Sequence, residues 1–158
     1  MEHLTSALLD LQNRNIQYKL YTYPIENGPV AALDVAEYLG IPSDRLIKTL
    51  VTTDHHGGYF VFCLPANSRI DMKKAAAVAG VKKLTLLDPN SFEELTGYVH
   101  GGCSPFGLKT VLPIFVEEFV FEYDFIYISG GKVGFSVEIE PISLLVELDA
   151  RKANFTRV

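Results

Sequence analysis

Apolar positions along this chain fall into short runs punctuated by glycine, proline and aspartate. Leu4, Leu8 and Leu11 recur at helical spacing and predict an opening helix that ends near Asn13 or Asn15. Residues 18–23 have strand composition and stop at Pro24. Residues 31–39 return to helical spacing, with Gly40 as terminator and Pro42 forbidding continuation. Residues 46–53 and 59–64 are β-rich runs around Asp54-His55-His56-Gly57-Gly58, which predicts a hairpin with a five-residue loop. Asp71 is placed to cap a helix through Ala79 that Gly80 closes. Residues 83–87 form a short strand, and Asp88-Pro89 opens another helix running to Gly97. Further on, residues 111–117, 125–129 and 133–139 read as strands, the last two joined by a tight turn at Gly130-Gly131. Pro141 starts a final helix in which Ile142, Leu145 and Leu148 share a face.

Interleaved short helices and about seven strands predict an α+β fold. Its sheet is mixed and largely antiparallel, curled into a partial barrel with helices around it. No repeat, low-complexity stretch or linker divides the chain, so residues 1–158 are expected to form one domain.

Composition narrows the setting. Hydrophobic residues make up 48% and charged residues 21%, the balance of a soluble globular protein. No apolar run reaches the roughly 18 residues that suggest a membrane span. Met1-Glu2-His3-Leu4 has neither the basic flank nor the apolar stretch of a signal peptide. The two cysteines, Cys63 and Cys103, have no metal-ligand spacing and cannot make a disulfide framework. These features predict a cytoplasmic protein without a cofactor motif. A formal net charge of −5 argues against a protein that grips nucleic acid by charge alone.

The segment Gly101-Gly102-Cys103-Ser104-Pro105-Phe106-Gly107 stands out. Its glycines permit left-handed backbone and let a ligand approach main-chain N–H groups. A tight structural turn and an anion cradle both fit the residues. Residues 102–110 have the outline of a Walker A loop, but Leu108 is inserted before Lys109 and Pro105 removes an N–H that a phosphate cradle uses. That reading is rejected. Cys103 with His100 suggests a thiol and base, yet no third group orients them, and a small loop cysteine beside a solvated histidine is favoured. His55 and His56 are adjacent, so they diverge, and read as exposed turn residues. Lys48 is more informative. Period-two alternation puts it on the face of Leu46 and Leu50, where an amine either escapes to solvent at an edge or meets an anion. Lys73-Lys74 and Lys82-Lys83 read as solvated element ends that could also meet phosphates.

In this order the pieces resemble the YbaK/EbsC family of aminoacyl-tRNA deacylases, whose fold is shared with the editing domain of bacterial prolyl-tRNA synthetases. The resemblance runs nearly end to end. It covers Tyr21-Thr22-Tyr23, Ile47-Lys48-Thr49-Leu50, Ile70-Asp71-Met72-Lys73-Lys74, Asp88-Pro89 and Thr96-Gly97-Tyr98. It continues through the 101–107 loop and Ser129-Gly130-Gly131-Lys132, followed by Glu138.

The resemblance implies an enzyme acting on the 3′ acceptor end of mischarged tRNA, with cysteinyl-tRNA(Pro) as usual substrate and prolyl-tRNA synthetase as partner. Lys48 matches the family's essential lysine, which holds the terminal nucleotide. The loop from Gly101 through Gly102, Cys103 and Ser104 to Pro105 matches the family's G-x-x-x-P loop, whose main-chain groups position the ester. Tyr23 matches a pocket-lining aromatic, and Ser129 and Gly130 match a strand end beside it. In this branch the substrate's own thiol attacks its ester, so the protein needs no nucleophile.

Two departures bear on specificity. Ser136 stands where the best-known branch has an aspartate, and Cys103 where the loop often carries an aliphatic residue. A serine cannot offer a fixed negative charge to a substrate amine. A water-using deacylase for alanyl- or seryl-tRNA therefore stays open, as does a non-catalytic tRNA- or synthetase-binding module of the same fold.

Overall fold

The computed structural model describes residues 4–25 and 32–157. Local sequence signals set most of its helices. Thr5 accepts a hydrogen bond from the Leu8 N–H at 3.1 Å and so starts α1 (Ser6–Asn13), which buries Ala7, Leu8 and Leu11. Leu4, expected on that face, precedes the cap and is exposed. The next elements are β1 (Lys19–Thr22) and α2 (Ala32–Leu39). Ala31, the expected first residue of that helix, lies outside the described residues.

The hairpin forms as expected from β2 (Ile47–Thr53) and β3 (Tyr59–Pro65), with Thr53 opposite Tyr59. Asp54 closes its loop by accepting from the N–H groups of His56 and Gly58, both at 2.8 Å. After β4 (Arg69–Ile70), Asp71 caps α3 (Met72–Ala79) and Gly80 ends it at φ 76°. After β5 (Thr85–Leu86), Asp88 caps α4 (Pro89–Thr96) and Gly97 ends it at φ 81°.

The remaining strands are β6 (Ile114–Glu117), β7 (Ile126–Ser129), β8 (Phe135–Ile139), β9 (Arg151–Ala153) and β10 (Thr156–Arg157). A 3-10 helix (Glu118–Glu122) follows β6, and α5 (Ile142–Leu148) follows β8. The 111–117 run is strand only from Ile114, just past Pro113, and Val111 is solvent-exposed. Gly130-Gly131 is only the start of a longer connection to Gly134, in which Gly131 and Gly134 take φ values of 99° and 98°. In α5 the buried residue is Leu144, with Leu145 and Leu148 at its flank and Ile142 exposed. The stripe is therefore centred one position before the expected one.

The architecture is α+β, with a mixed and largely antiparallel set of strands. Order β1-β8-β7 makes one antiparallel sheet and β10-β4 a small second one. Order β5-β2-β3-β6-β9 makes the third, in which β3-β6 and β6-β9 are parallel. Residues 61–64 of β3 are fully buried, because each face of the strand meets a separate apolar cluster. Val61 and Cys63 pack towards α1, β7 and β8. Phe62 and Leu64 pack towards α3, where Phe62 stacks on Phe115 at 5.3 Å and meets the edge of Phe155 at 4.9 Å. The buried Glu117 carboxylate accepts from the Phe155 N–H (2.9 Å) and the Thr156 hydroxyl (3.1 Å), which pins the C-terminal strands. No described helix is long and apolar enough to cross a membrane.

The first and third sheets curl together at β2. A parallel bridge joins Leu46 to Tyr127, while β5 pairs with Thr52 and Thr53 at the far end of the same edge. Between them, the edge of β2 has no strand partner among the described residues. The Ala66 N–H donates to the Leu46 carbonyl and the Leu87 N–H to the Val51 carbonyl. Even-numbered residues of β2 thus bond to β3, and the main-chain groups of Ile47 and Thr49 turn to the gap.

Candidate active site

A cavity of about 260 Å³ opens at this unpaired edge. Ile47 and Thr49 of β2 form one side, Ser129, Phe135 and Ser136 of the β7–β8 hairpin a second, and His100, Gly101 and Cys103 a third. Tyr23 and α2, through Ala32 and Val35, complete it. Of the residues singled out in the sequence, Lys48, Tyr23, Gly101, Cys103, Ser129 and Ser136 all line this cavity.

The other four lie behind its wall. Gly102 is buried, and its carbonyl accepts from the Ser129 hydroxyl at 3.1 Å. Ser104 is also buried, its hydroxyl accepting from the Phe106 N–H at 3.1 Å, so it shapes the loop from within. Pro105 lines a separate recess against α1. Gly130 donates to the Phe135 carbonyl (2.8 Å), and its own carbonyl accepts from the Thr5 hydroxyl (2.5 Å).

The glycine-rich loop is held from several directions. Gly101 takes φ 93°, a conformation glycine adopts without strain. The Tyr98 hydroxyl donates to the Phe106 carbonyl at 2.5 Å, and the Asp10 carboxylate accepts from the Gly107 N–H at 2.9 Å. The N–H groups of Gly101 and Cys103 find no acceptor among the described residues. Gly101 is exposed, so its N–H is open to solvent or to a ligand's oxygen, whereas an unpaired donor on the buried Cys103 is uncommon.

Lys48 lies at the cavity margin, its ammonium donating to the Ser68 carbonyl at 2.7 Å and reaching the Ala66 carbonyl at 3.5 Å. Burial, and secondarily the charge of Arg69, hold its pKa below the ordinary lysine value. Among the described residues the amine thus leans on neutral main-chain carbonyls rather than on an anion, and Lys48 borders the cavity.

The cavity's thiol is passive. Cys103 is nearly buried, its Sγ lies 3.7 Å from the Ser104 carbonyl, and burial, with Cys63 as a lesser influence, pushes its pKa well above the ordinary thiol value. His100 packs edge-on against Phe92, with centroids 5.3 Å apart, and makes no hydrogen bond to Cys103 among the described residues. At the hairpin, His55 bonds to Thr85 at 2.7 Å, away from this cavity. Glu138 does not line it either. Its carboxylate accepts from Tyr127 (2.6 Å) and Tyr21 (3.5 Å), and burial together with that bond raises the Tyr127 phenol to about 12.

Sequence reasoning gave no site role to Ile47, Thr49, Leu87, Phe92 or Phe135, although Ile47 and Thr49 stand beside Lys48 in the matching fragment. Each reads as ordinary strand or helix core, and only their convergence on one space sets them apart.

The model of a family described as the aminoacyl-tRNA editing domain matches residues 29–145. The chain is 36% identical over 152 residues to EbsC of Enterococcus faecalis, named as a candidate Cys-tRNA(Pro)/Cys-tRNA(Cys) deacylase; the match spans 96% of this chain and 93% of that protein. It is 30% identical over 78 residues to a proline–tRNA ligase of Thermosipho melanesiensis, covering 49% of this chain and 14% of the ligase. The crystal structure of a candidate trans-editing enzyme for prolyl tRNA synthetase superposes with a TM-score of 0.86 at 25% identity, over 99% of this chain and all of the other.

Proposed function

This chain belongs to the aminoacyl-tRNA editing domain family, and from that premise we propose that it is a trans-acting deacylase that removes cysteine from Cys-tRNA(Pro). The observation that carries the reading is the cavity at the unpaired edge of β2. It gathers Lys48, Tyr23, Ser129 and the Gly101 loop, yet its own thiol is held protonated.

Such a site suits chemistry in which the substrate brings the nucleophile. The cysteine sulfur attacks the ester carbonyl and forms a C–S bond. The C–O bond to the terminal ribose breaks, and the thiol proton ends on that ribose oxygen. The products are a cysteine thiolactone and deacylated tRNA. Lys48 would hold the terminal nucleotide. The unpaired N–H groups of Gly101 and Cys103 would receive the carbonyl oxygen as negative charge develops on it. Gly102, Ser104, Pro105 and Gly130 would act by shaping that wall. With a net charge of −5, much of the affinity for tRNA would come from a partner synthetase. Ser136 supports a second reading, a water-using deacylase for alanyl- or seryl-tRNA, since it leaves that wall without a carboxylate.

The test is a deacylation panel on cysteinyl-, alanyl- and seryl-tRNA(Pro), with and without prolyl-tRNA synthetase. Lys48→Ala is expected to lower kcat/KM on the cysteinyl substrate by about 10²-fold or more, the scale of losing one charge-positioning group. Cys103→Ala should stay within about threefold of the parent, since it removes no attacking group. Full activity in Lys48→Ala, or abolished turnover in a folded Cys103→Ala, would overturn the assignment. Equal cleavage of alanyl and cysteinyl substrates would favour attack by water.

A further inference from the structure

We propose that Lys132 takes a backbone phosphate of the RNA strand whose end enters the cavity, steadying it from the β7–β8 side as Lys48 does from β2. This rests on the deacylase reading and adds to it a second cationic anchor.

Lys132 stands in the connection between β7 and β8. The Phe135 N–H donates to the Lys132 carbonyl at 3.1 Å, and the Tyr23 N–H donates to the Gly134 carbonyl at 2.9 Å. The connection is thus closed on itself and tied to Tyr23, which lines the cavity. On its other side it packs on Gly102, where a Cβ would meet the Lys132 Cα at 3.1 Å. Lys132 therefore leaves a fixed piece of wall, next to the loop that carries the Gly101 and Cys103 N–H groups. Its ammonium lies 4.3 Å from the centroid of the Phe135 ring, and Phe135 lines the cavity. Lys19 over Tyr21, Arg45 over Tyr127 and Lys152 over Phe121 make similar pairs, but none of those rings lines it.

The charge is also free to be used. Lys132 is exposed, and the ion pairs found among the described residues, both made by Arg14, do not include it. An ammonium resting on a ring face keeps its charge and still has donors directed away from the ring. The Lys48 ammonium, by contrast, already leans on two carbonyls, which leaves it less to offer a phosphate. Each nucleotide behind the ester adds a phosphate, while the chain itself carries a net charge of −5. Such a strand needs cations where it enters the protein. A ring beside a cation is the pairing that single-stranded sites use, the base stacking and the phosphate meeting the charge. A compact ammonium on a flexible stem suits a single phosphate.

The experiment measures binding of two hydrolysis-resistant probes to the full chain, with turnover of cysteinyl-tRNA(Pro) in parallel. One probe is cysteine amide-linked to the 3′ position of adenosine, which carries no phosphate. The other carries the same group on the trinucleotide CCA. The parent should bind the trinucleotide more tightly, with an affinity that falls as salt rises. Lys132→Met keeps an unbranched stem against Phe135. It should weaken trinucleotide binding by about 3- to 10-fold, the scale of one charge-assisted contact at an exposed site. Its salt slope should be shallower by about 0.7, the share of one phosphate on a single strand, with nucleoside binding within about twofold of the parent. Lys132→Arg should bind both probes as the parent does. Equal loss on both probes in Lys132→Met marks a merely structural role and overturns the proposal. No loss on the trinucleotide, or a parent that gains nothing from the added phosphates, overturns it as well. A phosphate-dependent loss in a chain that turns over no aminoacyl-tRNA defeats the deacylase reading and leaves this one standing.

Discussion

A methyl group added at Gly102 would sit 3.1 Å from the Lys132 Cα and 3.2 Å from the Val133 main-chain nitrogen. Comfortable contact lies near 3.5–4.0 Å, so Gly102→Ala forces the loop and the β7–β8 turn apart by roughly 0.4 Å. Both obstructing atoms are main chain and cannot rotate away. Overpacking of this kind costs about 1–3 kcal/mol. The seam is also joined by the 3.1 Å hydrogen bond from Ser129 to the Gly102 carbonyl. Stretching it by that amount weakens it severely and adds up to about 1 kcal/mol. Gly101 and Cys103 flank the altered residue and line the cavity, so the displacement reaches the site directly. A shift near 1 Å can cost about 10²-fold in rate, and roughly half that shift should cost about tenfold. Urea denaturation should therefore show a lower midpoint at unchanged slope, and kcat/KM on cysteinyl-tRNA(Pro) should fall about tenfold. A Gly102→Ala variant as stable and as active as its parent would refute the claim that loop and turn are in hard contact.

Tyr98→Phe removes the donor to the Phe106 carbonyl within a buried part of the loop. It should destabilise the chain by about 1–3 kcal/mol in urea denaturation, and a loss below about 0.5 kcal/mol would mean that this bond does not hold the loop. For Lys48, burial depresses the native pKa, so between that pKa and the unfolded value near 10.5 the unfolded chain binds more protons. Stability of the parent should rise with pH across that window relative to Lys48→Met. Denaturation of both proteins from neutral pH up to 10.5 would show a flat or falling difference if the amine were not desolvated.

Local chemistry was the most legible part of this chain. Asp71 and Asp88 bond to N–H groups two or three residues ahead, and Gly80 and Gly97 supply left-handed stops. Such signals act within one turn of chain and need no distant partner. Asp54 closes its hairpin in the same way. Elements that depend on partners left little trace. Strands β4, β9 and β10 are two or three residues long, too short for alternation to register. The parallel pairing of β3 with β6 joins segments some fifty positions apart, and no local pattern encodes it. In α5 the spacing was read correctly but the face was not, because packing rather than periodicity chose Leu144.

The candidate site divides along the same line. Lys48 and the glycines from Gly101 were visible because they are anomalies, a cation in an apolar strand and flexible backbone in a row. The sequence by itself determined the helix boundaries, the hairpin, the family resemblance and these two anomalies. Tertiary structure alone decided that one edge of β2 is left without a strand between Leu46 and Thr52, since strands from two separate sheets take up only the ends of that edge. It also decided that Thr49 lines a cavity there while its hydroxyl lies buried beside the Cys63 thiol of β3. What a strand threonine faces is not written in the sequence, because side-chain surroundings belong to the assembled fold and not to the residue.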